Sequence, residues 1–287
     1  VDFRPIDPGD LEACADVFYA ADDDLMAKRG LPLMPRNRVA LLRLFAHIQA
    51  TSPQRAWLAE RDGRVLGFGM SAQRESLVFL AFLFVDPAEQ AKGLGRALLE
   101  RSMANAERSA VCIFSLQPIS AALYAMYGMV PRVPLYTITG RPKRPLPLLP
   151  DGLSVGRLEA DQAADLDRAV VGFERAQDHA AWLSWERRLF GLFEGGRAVG
   201  YGYAQQSGRL GPVVVERSEL ILPFVGQLMR EIGSLEDWMI NVPGPAADAF
   251  AGLLRAGMRI DGPPVLFCAS GHSIDHSRYL PSTFALP

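Results

Sequence analysis

An eight-residue signature occurs twice in this chain. Asp62-Gly63-Arg64-Val65-Leu66-Gly67-Phe68-Gly69 is matched 133 positions later by Gly195-Gly196-Arg197-Ala198-Val199-Gly200-Tyr201-Gly202. In both, turn residues lead into a strand-like run. Tyr127-Gly128-Met129 is echoed by Ala256-Gly257-Met258, 129 positions on, and Phe3-Arg4-Pro5-Ile6 by Val155-Gly156-Arg157-Leu158, about 152 on. Three matches in one order read as a duplicated domain whose second copy is shorter between its first helix and its hairpin. A chain of 287 residues has room for two domains of roughly 100–200 residues each. Arg141–Pro150 holds four prolines in ten residues, which neither a helix nor a central strand sustains. The sequence therefore predicts a first domain over 1–140, an extended Pro-rich linker over 141–152 and a second domain over 153–287.

Within the first copy, helical spacing predicts helices at Asp10–Ala20, Arg38–Gln49, Ala97–Ala106 and Ile119–Tyr127. Arg55–Glu60 and Val65–Ala72 form a hairpin about Asp62-Gly63. Leu77–Val85 is apolar at every position, the pattern of a strand buried on both faces, and Val111–Ser115 is a further short strand. Strands and helices in this order give an α/β or α+β domain with a mixed sheet.

Composition excludes several function classes. The longest apolar run has nine residues, against the ~18–20 of a membrane-spanning helix. The opening VDFRPIDPGD has no charged-then-apolar leader, which predicts no secretory signal and a cytoplasmic protein. Three cysteines, Cys14, Cys112 and Cys268, are too few and too scattered for a disulfide framework or a zinc site. The formal charge of −2 gives no basic footprint for nucleic acid. The charge is uneven, however: residues 1–150 carry net +3 and residues 151–287 net −5. A positive half suits an anionic ligand, and an acidic half a cationic one.

The chemistry concentrates after the apolar strand, in Asp86-Pro87-Ala88-Glu89-Gln90-Ala91-Lys92-Gly93-Leu94-Gly95-Arg96. Glycines at a helix start let backbone N–H groups approach a ligand together, and the helix adds its unpaired N–H groups and dipole. Such a loop cradles a pyrophosphate, with Lys92 and Arg96 as flanking cations. It is not a dinucleotide fingerprint, because the third glycine would fall at Leu98, and it lacks the Gly-Lys-Ser/Thr ending of a triphosphate loop.

On three features in the same order, the sequence resembles the GNAT acetyltransferases. They are the strand ending Phe84-Val85-Asp86-Pro87, the Gln90–Arg96 loop, and Leu123-Tyr124-Ala125-Met126-Tyr127-Gly128-Met129. The resemblance implies two tandem GNAT-like domains, each a mixed, mostly antiparallel sheet flanked by helices. It implies acetyl-CoA as co-substrate, with pantetheine against the backbone of Leu83, Phe84 and Val85. The pyrophosphate would lie on the amides of Ala91, Lys92, Gly93, Leu94, Gly95 and Arg96, beside Gln90. An amine would attack the thioester directly, with Tyr124 as proton donor to the thiolate and Tyr127 as a nearby substitute. Two departures stand out. No carboxylate lies within 77–85, so Glu75 would act as base only through a water chain; and Gln117 stands where the family often has Asn.

The second copy has Glu216-Arg217-Ser218-Glu219 in place of a glycine cradle, and Leu253 where the first has Tyr124. Two glutamates repel a pyrophosphate, so this copy is expected not to catalyse. The acceptor implied is a small-molecule amine, with the protein a monomer or homodimer that engages neither nucleic acid nor membrane. Alternative readings are a non-catalytic acyl-CoA sensor, a mycothiol-synthase-like enzyme and a protein N-terminal acetyltransferase. Asp22-Asp23-Asp24 reads as a solvated helix end, or else as a site for a cationic substrate. His272 and His276, four apart, read as loop histidines with no third ligand and no metal. Trp182 and Trp185 read as packing residues.

Overall fold

A computed structural model describes residues 1–286 except 34–35, 234–235 and 272–273. The chain packs as two units, Val1–Cys112 with Pro118–Met129, and Ile113–Gln117 with Val130–Pro287. Each is a mixed, mostly antiparallel sheet flanked by helices.

The first unit is built around its hairpin. Asp62 and Gly63 both take positive φ, 52° and 76°, which turns β2 (Ala56–Arg61) tightly into β3 (Arg64–Arg74) after β1 (Asp2–Pro5), α1 (Leu11–Arg29) and α2 (Arg38–Thr51). A second turn at Glu75 leads into β4 (Leu77–Val85), followed by α3 (Leu94–Ser102), β5 (Arg108–Phe114) and α4 (Pro118–Met126). The strand order is β1-β2-β3-β4-β5, antiparallel except for the parallel pair β4 and β5. Side chains on β3 alternate between faces. Phe68 meets Phe45 of α2, while Gly67 and Gly69 face Leu98 and Ser102 of α3. Helices α1 and α2 therefore cover one face and α3 the other. A Cβ on Gly69 would lie 2.6 Å from Ser102 Oγ, so the glycine is what lets α3 settle on the sheet. Leu98 and Leu99 are then fully buried, worth about 1.5–3 kcal/mol each.

Two elements run past their sequence bounds. Helix α1 continues to Arg29 because no breaker occurs before Gly30, whose left-handed conformation (φ 65°) ends it with a Leu31 N–H to Met26 carbonyl bond. Asp22, Asp23 and Asp24 accordingly lie inside a helix, not at its end. Helix α3 starts at Leu94, three residues before the expected Ala97. Strand β4 is buried over Leu77–Leu80 but only half-buried at Leu83, Phe84 and Val85, because the sheet opens there.

The second unit contains β6 (Val130–Gly140), β7 (Leu153–Arg157), α5 (Ala164–Leu166), α6 (Ala176–Ser184), β8 (Arg188–Glu194), β9 (Arg197–Ala204), β10 (Arg209–Val215), α7 (Ile221–Ile232), β11 (Trp238–Pro243), α8 (Ala247–Arg255), β12 (Arg259–Ile260), β13 (Val265–Ala269) and β14 (Tyr279–Leu280). Its glycine pair repeats the first unit's packing. Cβ atoms on Gly200 and Gly202 would meet the Val214 carbonyl at 2.8 Å and Leu228 Cδ1 of α7 at 2.6 Å. The sequence repeat thus marks a close helix-on-sheet approach in each copy.

Packing divides the chain earlier than the prolines do. Residues 130–140 belong with the second unit because β6 finds partners on both edges there, pairing antiparallel with β11 and β13. The Pro-rich stretch packs on the second unit. The N–H groups of Lys143 and Arg144 both donate to the Ala256 carbonyl, at 2.7 and 3.1 Å, and Leu146 is buried in the second unit's core. No helix among the described residues is long and apolar enough to cross a membrane.

Candidate active site

The first unit has a break in its sheet at the middle of β4. Facing β3, Met70 pairs with Phe82 and Ser71 with Leu80, so Ala81 is an extra, bulged residue. On the other side, the parallel pairing with β5 runs from Leu77 opposite Arg108 to Leu80 opposite Val111. Beyond Leu80 the two strands part. Phe84 keeps its backbone groups toward β3, whereas those of Leu83 and Val85 face the side that β5 has left, where the Val85 carbonyl accepts from Gln90.

The loop lies at the open end of that cleft. Asp86 Oδ1 accepts from the Ala88 N–H at 2.9 Å, starting a short turn over Pro87–Glu89. Gln90 Nε2 donates to the Val85 carbonyl at 3.1 Å, tying the loop back to β4. Ala91 and Gly93 are left-handed (φ 61° and 87°), the backbone geometry that gathers N–H groups into an anion-binding nest. The first helical bond of α3 is from Ala97 N–H to the Gly93 carbonyl at 3.1 Å. The preceding N–H groups of Leu94, Gly95 and Arg96 have no acceptor within the helix and emerge from its positive end. A Cβ on Gly93 would point into open space, and one on Gly95 would only touch Val85 at 3.7 Å.

The two loop cations differ. Lys92 Nζ is held within the loop by the Ala88 carbonyl at 2.9 Å and Glu89 at 3.2 Å. Arg96 reaches from α3 to α4, its Nε donating to the Tyr127 hydroxyl at 3.2 Å; that hydroxyl donates to Glu100 at 2.5 Å. Tyr127 is thereby committed to an Arg96–Tyr127–Glu100 network. Tyr124, one turn earlier, is buried at 7% exposure, and its carbonyl accepts the N–H groups of Tyr127 and Met129 that end α4.

Glu75 lies at the other end of β4 from the loop. Glu75 is exposed, in the left-handed turn (φ 48°) at the far end of β4. It is six positions from Ala81, roughly 20 Å of extended chain. Gln117, whose N–H donates to the Phe114 carbonyl at 3.0 Å, packs with the second unit.

Sequence reading missed the bulge and the aromatic wall behind it. Phe18, Phe45, Phe68, Phe82 and Phe84 stack on the α1–α2 face, with Phe18 and Phe84 centroids 4.7 Å apart. The alternation of Phe82 and Phe84 along β4 was the available signal. Asp22 lies one helical turn beyond Phe18, on the same side of α1. Asp23 pairs with Arg36 and Asp24 with Lys28, whereas Asp22 carries neither ion pair nor hydrogen bond among the described residues. Burial, and then the charge of Asp23, push its carboxyl above the ordinary range against the pull of Arg36.

In the second unit, Glu216 is paired with Arg197 and Arg217 with Glu194 at 2.9 Å, in the stretch that replaces the glycine loop. Leu253 is fully buried. Of the two histidines, His272 lies outside the described residues. His276 is not a solvated loop residue: it is buried against the ring of Phe267, with centroids 4.6 Å apart. Among the described residues, no three His, Cys, Asp or Glu side chains converge on a metal site. Trp182 is fully buried, and Trp185 partly so. A cavity of about 310 Å³ in this unit, lined by Lys143, Arg144, Arg230 and Trp238 among others, contains none of the predicted site residues.

Residues 23–129 match the acetyltransferase (GNAT) family. No curated protein sequence matches the chain. Among solved structures, a proposed acetyltransferase from Pyrococcus horikoshii is similar over 99% of this chain and 95% of its own, at 18% identity and a TM-score of 0.76. A GCN5-related N-acetyltransferase from Sphaerobacter thermophilus is 18% identical over 96% of this chain and 98% of its own, with a TM-score of 0.62. A tandem GNAT protein from the clavulanic acid biosynthesis pathway is 18% identical over 95% and 99%, with a TM-score of 0.58. At this identity the likeness is one of fold, and it extends over both units.

Proposed function

We propose that this chain, an acyltransferase carrying an acetyltransferase (GNAT) family domain over residues 23–129, moves an acetyl group from acetyl-CoA to the primary amine of a small molecule at the first unit. The observation that carries the reading is the parting of β4 from β5 after the Ala81 bulge, directly ahead of the left-handed loop at Ala91 and Gly93. The edge of β4 over 83–85 that β5 leaves, with the Leu83 N–H and carbonyl and the Val85 N–H on it, suits the amides of a pantetheine arm. The N–H groups from Ala91 to Arg96 suit its pyrophosphate, and the absent Cβ of Gly93 leaves room for it.

The bound thioester supplies an electrophilic carbonyl and a thiolate leaving group. The neutral amine nitrogen forms the new C–N bond as the C–S bond breaks, Tyr124 gives its phenolic proton to the sulfur, and the proton that the nitrogen loses returns through water to the Tyr124 phenolate. A phenol with pKa ~10 is well matched to a thiolate of similar basicity. The resemblance puts this role on Tyr124; the Tyr127 hydroxyl donates to Glu100. Asp22, which has neither ion pair nor hydrogen bond among the described residues and lies on the α1 face that reaches β4 through Phe18, is the group we assign to hold the incoming ammonium, which gives a proton to water before it attacks. A non-catalytic acyl-CoA sensor is the second reading, favoured by the distance of Glu75 from the bulge and the lack of any carboxylate on β4.

Calorimetric titration with acetyl-CoA, followed by turnover against a panel of amines, tests both. One site per chain is expected. Gly93→Val should weaken it about 5- to 150-fold, since a positive φ costs a β-branched residue about 1–3 kcal/mol. Tyr124→Phe should lower kcat by about 10²–10⁴ while leaving acetyl-CoA affinity unchanged. Binding without turnover on any amine would favour the sensor; no binding would end both readings.

A further inference from the structure

The second unit repeats the cleft of the first and fills it with its own chain. Facing β9, Leu210 of β10 pairs with Ala204 and Val213 with Gly202, so β10 carries one residue more than its partner across Gly211-Pro212. In the first unit the same shift occurs at Ala81. Gly69 faces Leu83, and Gly202 faces Val213, which sets Gly211 at the place of Ala81 and Leu210 at that of Leu80. Parallel pairing ends at these matching residues, Leu80 with Val111 and Leu210 with Ile240. Both copies therefore bulge and split at one position. By the same alignment, Val213, Val214 and Val215 stand where Leu83, Phe84 and Val85 stand in the first unit.

Their edge is taken. Strand β14 lies antiparallel along it, with Leu280 opposite Val213 and Tyr279 opposite Val214, and Val215 N–H donates to the Arg278 carbonyl at 3.1 Å. Buried polar side chains hold the segment. Arg175 donates to the Tyr279 hydroxyl at 2.8 Å and is itself bound to Asp167 at 2.8 Å. Asn241 Nδ2 donates to the Ser282 carbonyl at 3.3 Å, and Arg187 to Ser282 Oγ at 3.0 Å. A Cβ on Gly211 would lie 3.1 Å from the Pro281 carbonyl, so the bulge is shaped to admit the segment. Tyr279 and Leu280 are almost wholly buried.

We propose that the second copy is a peptide-binding cleft converted from an acyl-CoA cleft, and that residues 278–282 are its ligand, bound in cis. The conversion is chemically short. A pantetheine arm and an extended peptide both present amides to a strand edge, so the edge that pairs one pairs the other. With the glycine cradle replaced by the ion-paired Glu216–Glu219 stretch, backbone pairing remained, and side chains that fit Tyr279 and Ser282 supply the selectivity. That the first cleft receives acyl-CoA rests on the function proposed above; the seating of residues 278–282 does not.

The test severs the connection without removing the ligand. A protease site is inserted after the exposed Gly271 of the full chain, and the protein is cleaved. The released fragment should co-elute with the body on gel filtration. A fluorescent peptide of residues 274–286 should exchange into the cleaved protein, and the same peptide carrying Leu280→Asp should bind at least about tenfold more weakly. The exchange is read in cleaved protein that still holds its fragment, so no refolding is required. Uncleaved protein should bind no more than one acetyl-CoA. A fragment that separates from a body of unchanged circular dichroism and accepts no peptide would overturn the proposal, as would two acetyl-CoA per intact chain. Failure of acetyl-CoA to bind at all would remove the acetyltransferase reading and leave the peptide result standing.

Discussion

Asp167 is fully buried among charged and aromatic groups. Arg175 binds one carboxylate oxygen at 2.8 Å, the Tyr201 hydroxyl donates to that same oxygen, and His179 Nε2 lies 3.0 Å from the other. Burial pushes the carboxyl up, but the charge of Arg175 and the bonds from His179 and Arg175 more than offset this, and Asp167 lies below the ordinary carboxylate range. A carboxylate lowered on folding contributes stability above its unfolded value of about 4, and loses it as pH falls through the folded value. Stability should therefore drop steeply below about pH 4. Asp167→Asn should flatten that part of the profile and cost about 3–5 kcal/mol at neutral pH, because Arg175 is left buried without its partner. Urea midpoints measured from pH 2 to 7 check both. None of this network was visible in the sequence, where Asp167, Arg175, His179, Tyr201 and Tyr279 are scattered over more than a hundred positions. By contrast Gly93, read as a cradle residue, does take the left-handed conformation that calls for glycine.

At the level of elements, the repeated glycine pair separates stability from ligand binding. Gly69→Val would drive a side chain into Ser102 and the Leu98 backbone, and overpacking of this kind costs about 1–3 kcal/mol. The displaced helix is α3, whose first residues form the candidate cradle. Gly202→Val meets Leu228 and Phe224 of α7 and should cost a similar amount. Only Gly69→Val should also weaken acetyl-CoA binding, which paired urea melts and calorimetry would reveal. Hairpin, buried strand and both flanking helices were legible because their signals are local: a turn pair, an apolar run, a helical period. The bulge at Ala81 was not, since LVFLAFLFV is equally apolar throughout and register depends on what β3 and β5 present.

For the whole molecule, each unit contains one fully buried cysteine, Cys14 in the first and Cys268 in the second. Burial pushes their thiols up to about 12 and about 11. Neither should react with iodoacetamide in the native state near neutral pH, because the thiolate is the nucleophile. In a urea series, labelling of Cys14 then reports opening of the first unit and labelling of Cys268 opening of the second. Saturating acetyl-CoA should move the Cys14 transition to higher urea and leave that of Cys268 in place, by mass action on the unit that binds. Equal shifts at both cysteines would mean that the two units open together. Mass spectrometry of the labelled peptides reads each site separately.

The sequence by itself determined the duplication, the α/β class of each copy, the glycine loop between strand and helix, and the loss of that loop in the second copy. These are matters of local pattern, where turn chemistry, periodicity and glycine decide the outcome within a few residues. Tertiary structure alone decided where the units divide, because β6 goes to the sheet that offers it two edges. It also decided where β4 and β10 split, and what fills each split. Strand pairing is a contest among distant segments for the same backbone groups, and residues 278–282 won the edge of β10 with Arg175, Arg187 and Asn241 holding them there.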